Sequence, residues 1–114
     1  MRVPKGLYKP SDNFTSLVHH KTSIGIRISG DSMEPDIPNG SIVWVQERQQ
    51  IENGQVGIFI RDGESYCKKL HLDYEKRIIR LLSNNPDYEP IELEMEESPD
   101  LRTVGLVLGH YGID

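Results

Sequence analysis

Apolar residues gather in this chain in short runs, some of them alternating at every second position, too short for anything but strands. Ile24, Ile26 and Ile28 fall on one face of residues 22–29, the period of a half-buried β-strand. Gly30 and Asp31 end that run. Similar runs occupy residues 41–46, 56–61, 64–70, 77–82, 90–94 and 103–109. Turn formers separate them. Pro35, Pro38, Asn39 and Gly40 crowd one gap, and Asp62 followed by Gly63 marks a two-residue hairpin. The polar segment 47–54 has room for one helical turn, and 94–100 reads as a solvated loop. Seven short strands with turn signals between them predict an all-β, mostly antiparallel domain, with the run at 103–109 closing the sheet. Composition agrees. The chain has no alanine, the best helix former, but has 10 glycines and 7 prolines.

The 114 residues suffice for one core and not two. Residues 1–21 hold Pro4, Gly6 and Pro10 with no sustained period, so an arm or linker is expected ahead of a domain over 22–114. With 36% hydrophobic and 27% charged residues the chain is not compositionally disordered. Its net charge of −5 repels phosphate backbones, which argues against nucleic-acid binding by this domain alone. A single cysteine, Cys67, allows no intrachain disulfide, and no run approaches a membrane span. A cytoplasmic protein with no membrane contact is expected. His19 and His20 lack a third ligand at suitable spacing, and no cofactor or metal motif is visible. His71 and His110 have no recognisable orienting partner for a His-based triad.

Two places carry possible chemistry. Gly30, Asp31, Ser32, Met33, Glu34 and Pro35 directly follow an apolar strand. A serine there can sit on a tight, exposed turn whose backbone N–H groups point at a developing oxyanion. Asp31 and Ser32 are equally at home as ordinary turn formers. The second place is the strand 64–70. Alternation sets Tyr66, Lys68 and Leu70 on one face and Ser65, Cys67 and Lys69 on the other. A lysine flanked by large apolar groups is driven towards its neutral form and can take a proton from a serine hydroxyl. Alternatively, both lysines are exposed charges on a strand edge.

Taken together these segments resemble a known family, that of LexA, lambda-type phage repressors and UmuD. Residues 29–35 with 37–43 are similar to its nucleophile loop and following strand, Cys67, Lys68, Lys69 and Leu70 to its general-base strand, 82–91 to its next strand-to-loop segment, and 104–108 to its final strand. The resemblance covers residues 24–110. It implies a compact β-rich fold with Ser32 as nucleophile, Lys68 as general base, and Gly30, Asp31 and Met33 in the nucleophile and oxyanion loop. It implies a homodimer and cleavage of a bond in the protein's own chain, upstream of the core, which inactivates a repressor in the SOS response. The expected triggers are a RecA–single-stranded-DNA filament or an antirepressor. Operator DNA would be bound only through an N-terminal helix-turn-helix domain that this sequence lacks. The alternatives are a UmuD-like polymerase accessory protein and, further off, a signal-peptidase-like enzyme. One feature departs from the family. Its Ala-Gly or Cys-Gly scissile bond is not found, since alanine is absent and Cys67 precedes Lys68. The bond would fall near or before Met1, so the chain is expected to begin close to the cleavage point.

Overall fold

A computed structural model describes residues 23–98 and 100–111. The expected arm, with His19 and His20, lies outside the described residues. Seven strands form one antiparallel sheet: β1 (Ser23–Arg27), β2 (Ile42–Glu47), β3 (Val56–Arg61), β4 (Glu64–Asp73), β5 (Ile78–Leu82), β6 (Ile91–Glu94) and β7 (Arg102–Tyr111). Each expected run became a strand, and β4 extends three residues past its expected end because it pairs with β5 as far as Asp73 with Ile78. The described residues contain no α-helix. Segment 47–54, expected to have room for a helical turn, begins with the last residue of β2 and is then irregular with a turn at its end, since the Glu52 N–H and the Asn53 side chain bond elsewhere. The Gln55 side chain accepts from the Glu52 N–H, and the Asn53 side chain accepts from the Leu72 N–H at 2.9 Å. The expected loop at 94–100 includes one 3₁₀ turn, Met95–Glu97, with Met95 half-buried and its two glutamates exposed.

The strand order is β1-β2-β7-β3-β4-β5-β6. The last strand does not close the sheet at an edge. It is inserted between β2 and β3 and is paired on both sides, with a bulge in each pairing. Gly105 makes this insertion possible, because a Cβ there would meet the Gln46 carbonyl oxygen at 2.2 Å. The β3–β4 hairpin turns at Asp62 (φ 52°) and Gly63 (φ 79°), both in the left-handed region that a two-residue turn of this hand demands.

Because successive side chains alternate, Ile58 and Phe59 of β3 face opposite ways, and so do Cys67 and Lys68 of β4. Each side has its own apolar cluster. Ile26, Ile28, Val43, Val45, Ile58 and Cys67 form the larger one, closed by Met33 and Ile37 from the loop between β1 and β2. Phe59, Leu70 and Leu81 form the smaller, with Ile51, Leu72, Ile79, Ile91 and Leu101 packed around it. Full burial of each such side chain contributes about 1.5–3 kcal/mol. The loop bearing Ser32 is therefore fastened to the sheet by Met33 and Ile37, while Ser32 itself remains half-buried.

Candidate active site

The loop after β1 is shaped by its own backbone. Glu34 N–H donates to the Asp31 carbonyl at 3.1 Å, and Ile37 N–H donates to the Met33 carbonyl at 2.9 Å. Ser32 occupies the second position of the first of these turns. Gly30, with φ 106°, donates its N–H to the Asn39 side chain at 2.8 Å, and the Asn39 N–H donates to the Glu34 carboxylate at 3.0 Å. Met33 is fully buried. The side chain after the serine is thus an anchor, and the serine is held at the surface of an internally bonded loop.

On β4, Lys68 is buried to 7% exposure, whereas Lys69 is exposed. The alternation read from the sequence separates the two lysines as expected. Lys68 lies opposite Gly57 of β3. Its ammonium donates to Ser83 Oγ at 2.7 Å and stands 5.5 Å from the centre of the Tyr88 ring. Burial pulls the Lys68 pKa down, against a smaller opposing influence from the neighbouring Cys67. Burial also pushes the Cys67 thiol up to about 12.

The segment after β5 ties these two places together. Asn85 N–H donates to the Ser32 carbonyl at 2.9 Å, and the Asn85 side chain donates to the Asp31 carbonyl at 3.1 Å. Asn84 reaches the Asp36 carboxylate at 2.7 Å. The Tyr88 phenol donates to the Asp31 carboxylate, and this bond raises the tyrosine's pKa. Ser83 holds the lysine, Asn85 holds the serine's backbone, and Tyr88 touches both sides. Sequence reading marked this segment only as a strand-to-loop match and gave Ser83, Asn85 and Tyr88 no role. The available signal was hairpin register. Lys69 pairs with Leu82, so one further step along the same ladder sets Ser83 against Lys68.

No three His, Cys, Asp or Glu side chains gather as a metal site requires among the described residues. His71 and His110 are exposed and stand apart from this segment in β4 and β7. No helix among the described residues is long and apolar enough to cross a membrane.

An all-β domain with a serine-bearing turn and a buried lysine joined through one loop invites comparison with peptidases. The family model described as Peptidase S24-like matches residues 4–108, and the chain belongs to that family. Among its relatives, the LexA repressor of Carboxydothermus hydrogenoformans is 31% identical over 108 residues, which are 94% of this chain and 48% of that protein. The LexA repressor of Photorhabdus laumondii subsp. laumondii is 30% identical over 109 residues, 95% of this chain and 48% of the relative. The LexA repressor of Xylella fastidiosa (strain M23) is 34% identical over 85 residues, 74% and 38% of the two chains. The chain spans about half the length of the curated relatives it matches, or less.

Proposed function

We propose that this chain is the Ser–Lys peptidase domain of a LexA-like transcriptional repressor and that it cuts a peptide bond in its own protein, upstream of β1. The observation that carries the reading is the shared segment 83–88, which holds the Lys68 ammonium and the Ser32 backbone at once. Membership of a peptidase family and relatives named LexA repressor support it. Those names favour the repressor reading over a polymerase accessory protein.

In this reading neutral Lys68 Nζ accepts the Ser32 hydroxyl proton as Oγ attacks the scissile carbonyl carbon. The carbonyl oxygen becomes an oxyanion facing the backbone of the Gly30, Asp31 and Met33 loop. The C–N bond then breaks, the lysine ammonium returns its proton to the leaving amine, and an ester to Ser32 remains. Water, deprotonated by Lys68, hydrolyses that ester. Lowering the Lys68 pKa serves this cycle, since an ordinary lysine near 10.4 is neutral in only roughly one molecule in two thousand at pH 7. An activator such as a RecA filament or an antirepressor need do no chemistry. It need only favour docking of the scissile segment, which excludes further water from Lys68. The setting is the cytoplasm, and loss of the DNA-binding half would end repression.

The test is the first-order self-cleavage rate of the full-length protein from pH 6 to 11 with no activator, followed on gels. Cleavage should rise with pH and level off, and Ser32→Ala should abolish it while leaving the fold intact. Unchanged cleavage in Ser32→Ala, or a rate that falls as pH rises, overturns the reading.

A further inference from the structure

Lys68 carries its amine on a four-carbon stem, and burial alone does not aim it. A neutral amine has two N–H bonds and one lone pair, and only the lone pair can accept the Ser32 proton. In the structure one N–H direction is already occupied, by Ser83 Oγ at 2.7 Å. That contact lies one residue past the end of the β4–β5 pairing, where the register carries Ser83 towards Lys68. The last pair is Lys69 with Leu82. The second neighbour is the Tyr88 ring, 5.5 Å away and close enough for its electron-rich face to act on a cation. The ring is held by its phenol, which donates to the Asp31 carboxylate next to the nucleophile.

We propose that Ser83 and Tyr88 are positioning residues for Lys68: the Ser83 hydroxyl sets the direction of the amine, and the Tyr88 ring supports the charge the amine gains when it takes the proton. The inference rests on the Ser–Lys reading above. With one N–H fixed on Ser83, the lone pair is left two of the three staggered directions about the Cε–Nζ bond. Reaction rates depend steeply on such alignment. The same segment bonds the Ser32 backbone through Asn85, so base and nucleophile are located by one rigid piece of chain. The ionisable groups around the amine are the Cys67 thiol on β4, the Tyr88 phenol and, through it, the Asp31 carboxylate; β3 presents Gly57 opposite. The cysteine is held as the neutral thiol by burial, and the phenol is already committed to Asp31.

Both contacts favour the charged amine over the neutral one, because charge-assisted bonds and cation–π contacts strengthen with charge. Removing either should therefore let cleavage begin at lower pH, while the limiting rate at high pH falls. A purely structural role would lower the rate at every pH without moving the midpoint. Two measurements decide. One is the pH–rate profile of the full-length protein carrying Ser83→Ala, Ser83→Thr or Tyr88→Leu. The other is a titration of the 114-residue chain by NMR of ¹³C-labelled lysine, with Lys68 assigned from Lys68→Ala. Ser83→Ala should lower the limiting rate roughly tenfold and move both midpoints down by roughly half a pH unit. Ser83→Thr, which keeps the hydroxyl, should restore rate and midpoint. Tyr88→Leu should move the midpoints in the same direction. Unmoved midpoints in Ser83→Ala and Tyr88→Leu overturn the inference. So does complete loss of cleavage in Ser83→Ala, which would make Ser83 the nucleophile. If Ser32→Ala cleaves like the parent, the Ser–Lys reading fails, and the NMR titration still decides whether Ser83 and Tyr88 hold the amine.

Discussion

Lys68 and Lys69 are neighbours in sequence with the same chemistry, and only their solvent exposure separates them. The buried one has its charged form disfavoured and its amine held by Ser83; the exposed one has its side chain in solvent. Lys68→Ala should be as inactive in self-cleavage as Ser32→Ala, and Lys69→Ala should keep most of the activity. The Ser32→Ala, Lys68→Ala double variant should be hardly slower than either single one, because residues that act as a unit lose their effect together. A dead Lys69→Ala with an active Lys68→Ala would reverse the assignment. Cys67, on the opposite face of the same strand, gives the protein an alkaline limit. Its folded pKa is raised to about 12. Above the ordinary thiol pKa the unfolded chain loses a proton that the folded chain keeps, so stability falls as pH rises through that window. Lys68 acts oppositely. Its folded pKa is lowered, so its contribution improves as pH rises from that value to the unfolded one. The thiol effect should reach about 3 kcal/mol by pH 11. Cys67→Ala should cost about 1 kcal/mol at pH 8 through the small cavity, and urea titrations should show that deficit vanish or reverse by pH 11. A deficit that stays constant would show the thiol is not titrating differently in the folded state.

At the scale of elements, the sheet depends on two glycines for different reasons. Gly105 lets β7 lie against β2, where a Cβ would stand 2.2 Å from a backbone oxygen that cannot swing aside. Gly63 supplies a left-handed backbone in an open turn, where a Cβ would meet nothing. Gly105→Ala should therefore destabilise by about 3 kcal/mol, and Gly63→Ala by about 1 kcal/mol. Urea denaturation of both variants checks the order. Equal losses would mean that the β2–β7 approach relaxes freely. The hairpin at Asp62 and Gly63 also sets the register that places Lys68 opposite Gly57, so turn chemistry at one end of β4 locates the base at the other.

For the whole molecule, the pairing of the strands sets which backbone two copies can share. β7 pairs with β3 over residues 102–106 and with β2 over residues 105–111, so the two ladders overlap only at Gly105 and Leu106, and β1 and β6 are the edges of the strand order. A partner can use an edge strand, a sheet face or the part of β7 beyond Leu106, where the ladder with β3 has ended. The homodimer expected from the family resemblance is proposed with a self-complementary, two-fold interface. Sedimentation at micromolar concentration should find a species of roughly twice the 13.0 kDa chain mass. A monomer alone at that concentration would count against the dimer.

The local pattern of the sequence determined what depends on neighbours along the chain. Alternation located seven strands and separated Lys68 from Lys69, because side-chain direction in a strand is set by parity alone. Asp62 and Gly63 announced their turn, because few residue pairs tolerate two left-handed positions. Ser32 was found by its motif and not by its chemistry, since a serine in a turn is common. Strand order was not legible. β7 lies between β2 and β3 because of contacts across about 40 to 70 residues of chain, and its Val104, Leu106 and Leu108 look the same at an edge as in the middle. The roles of Ser83, Asn85 and Tyr88 were hidden for the same reason. Beyond the hairpin register that points Ser83 at Lys68, nothing along residues 83–88 signals a serine more than 50 residues earlier. Only the folded sheet, by fixing the β4–β5 register and bringing the loop after β1 against the end of β5, decided that these side chains meet.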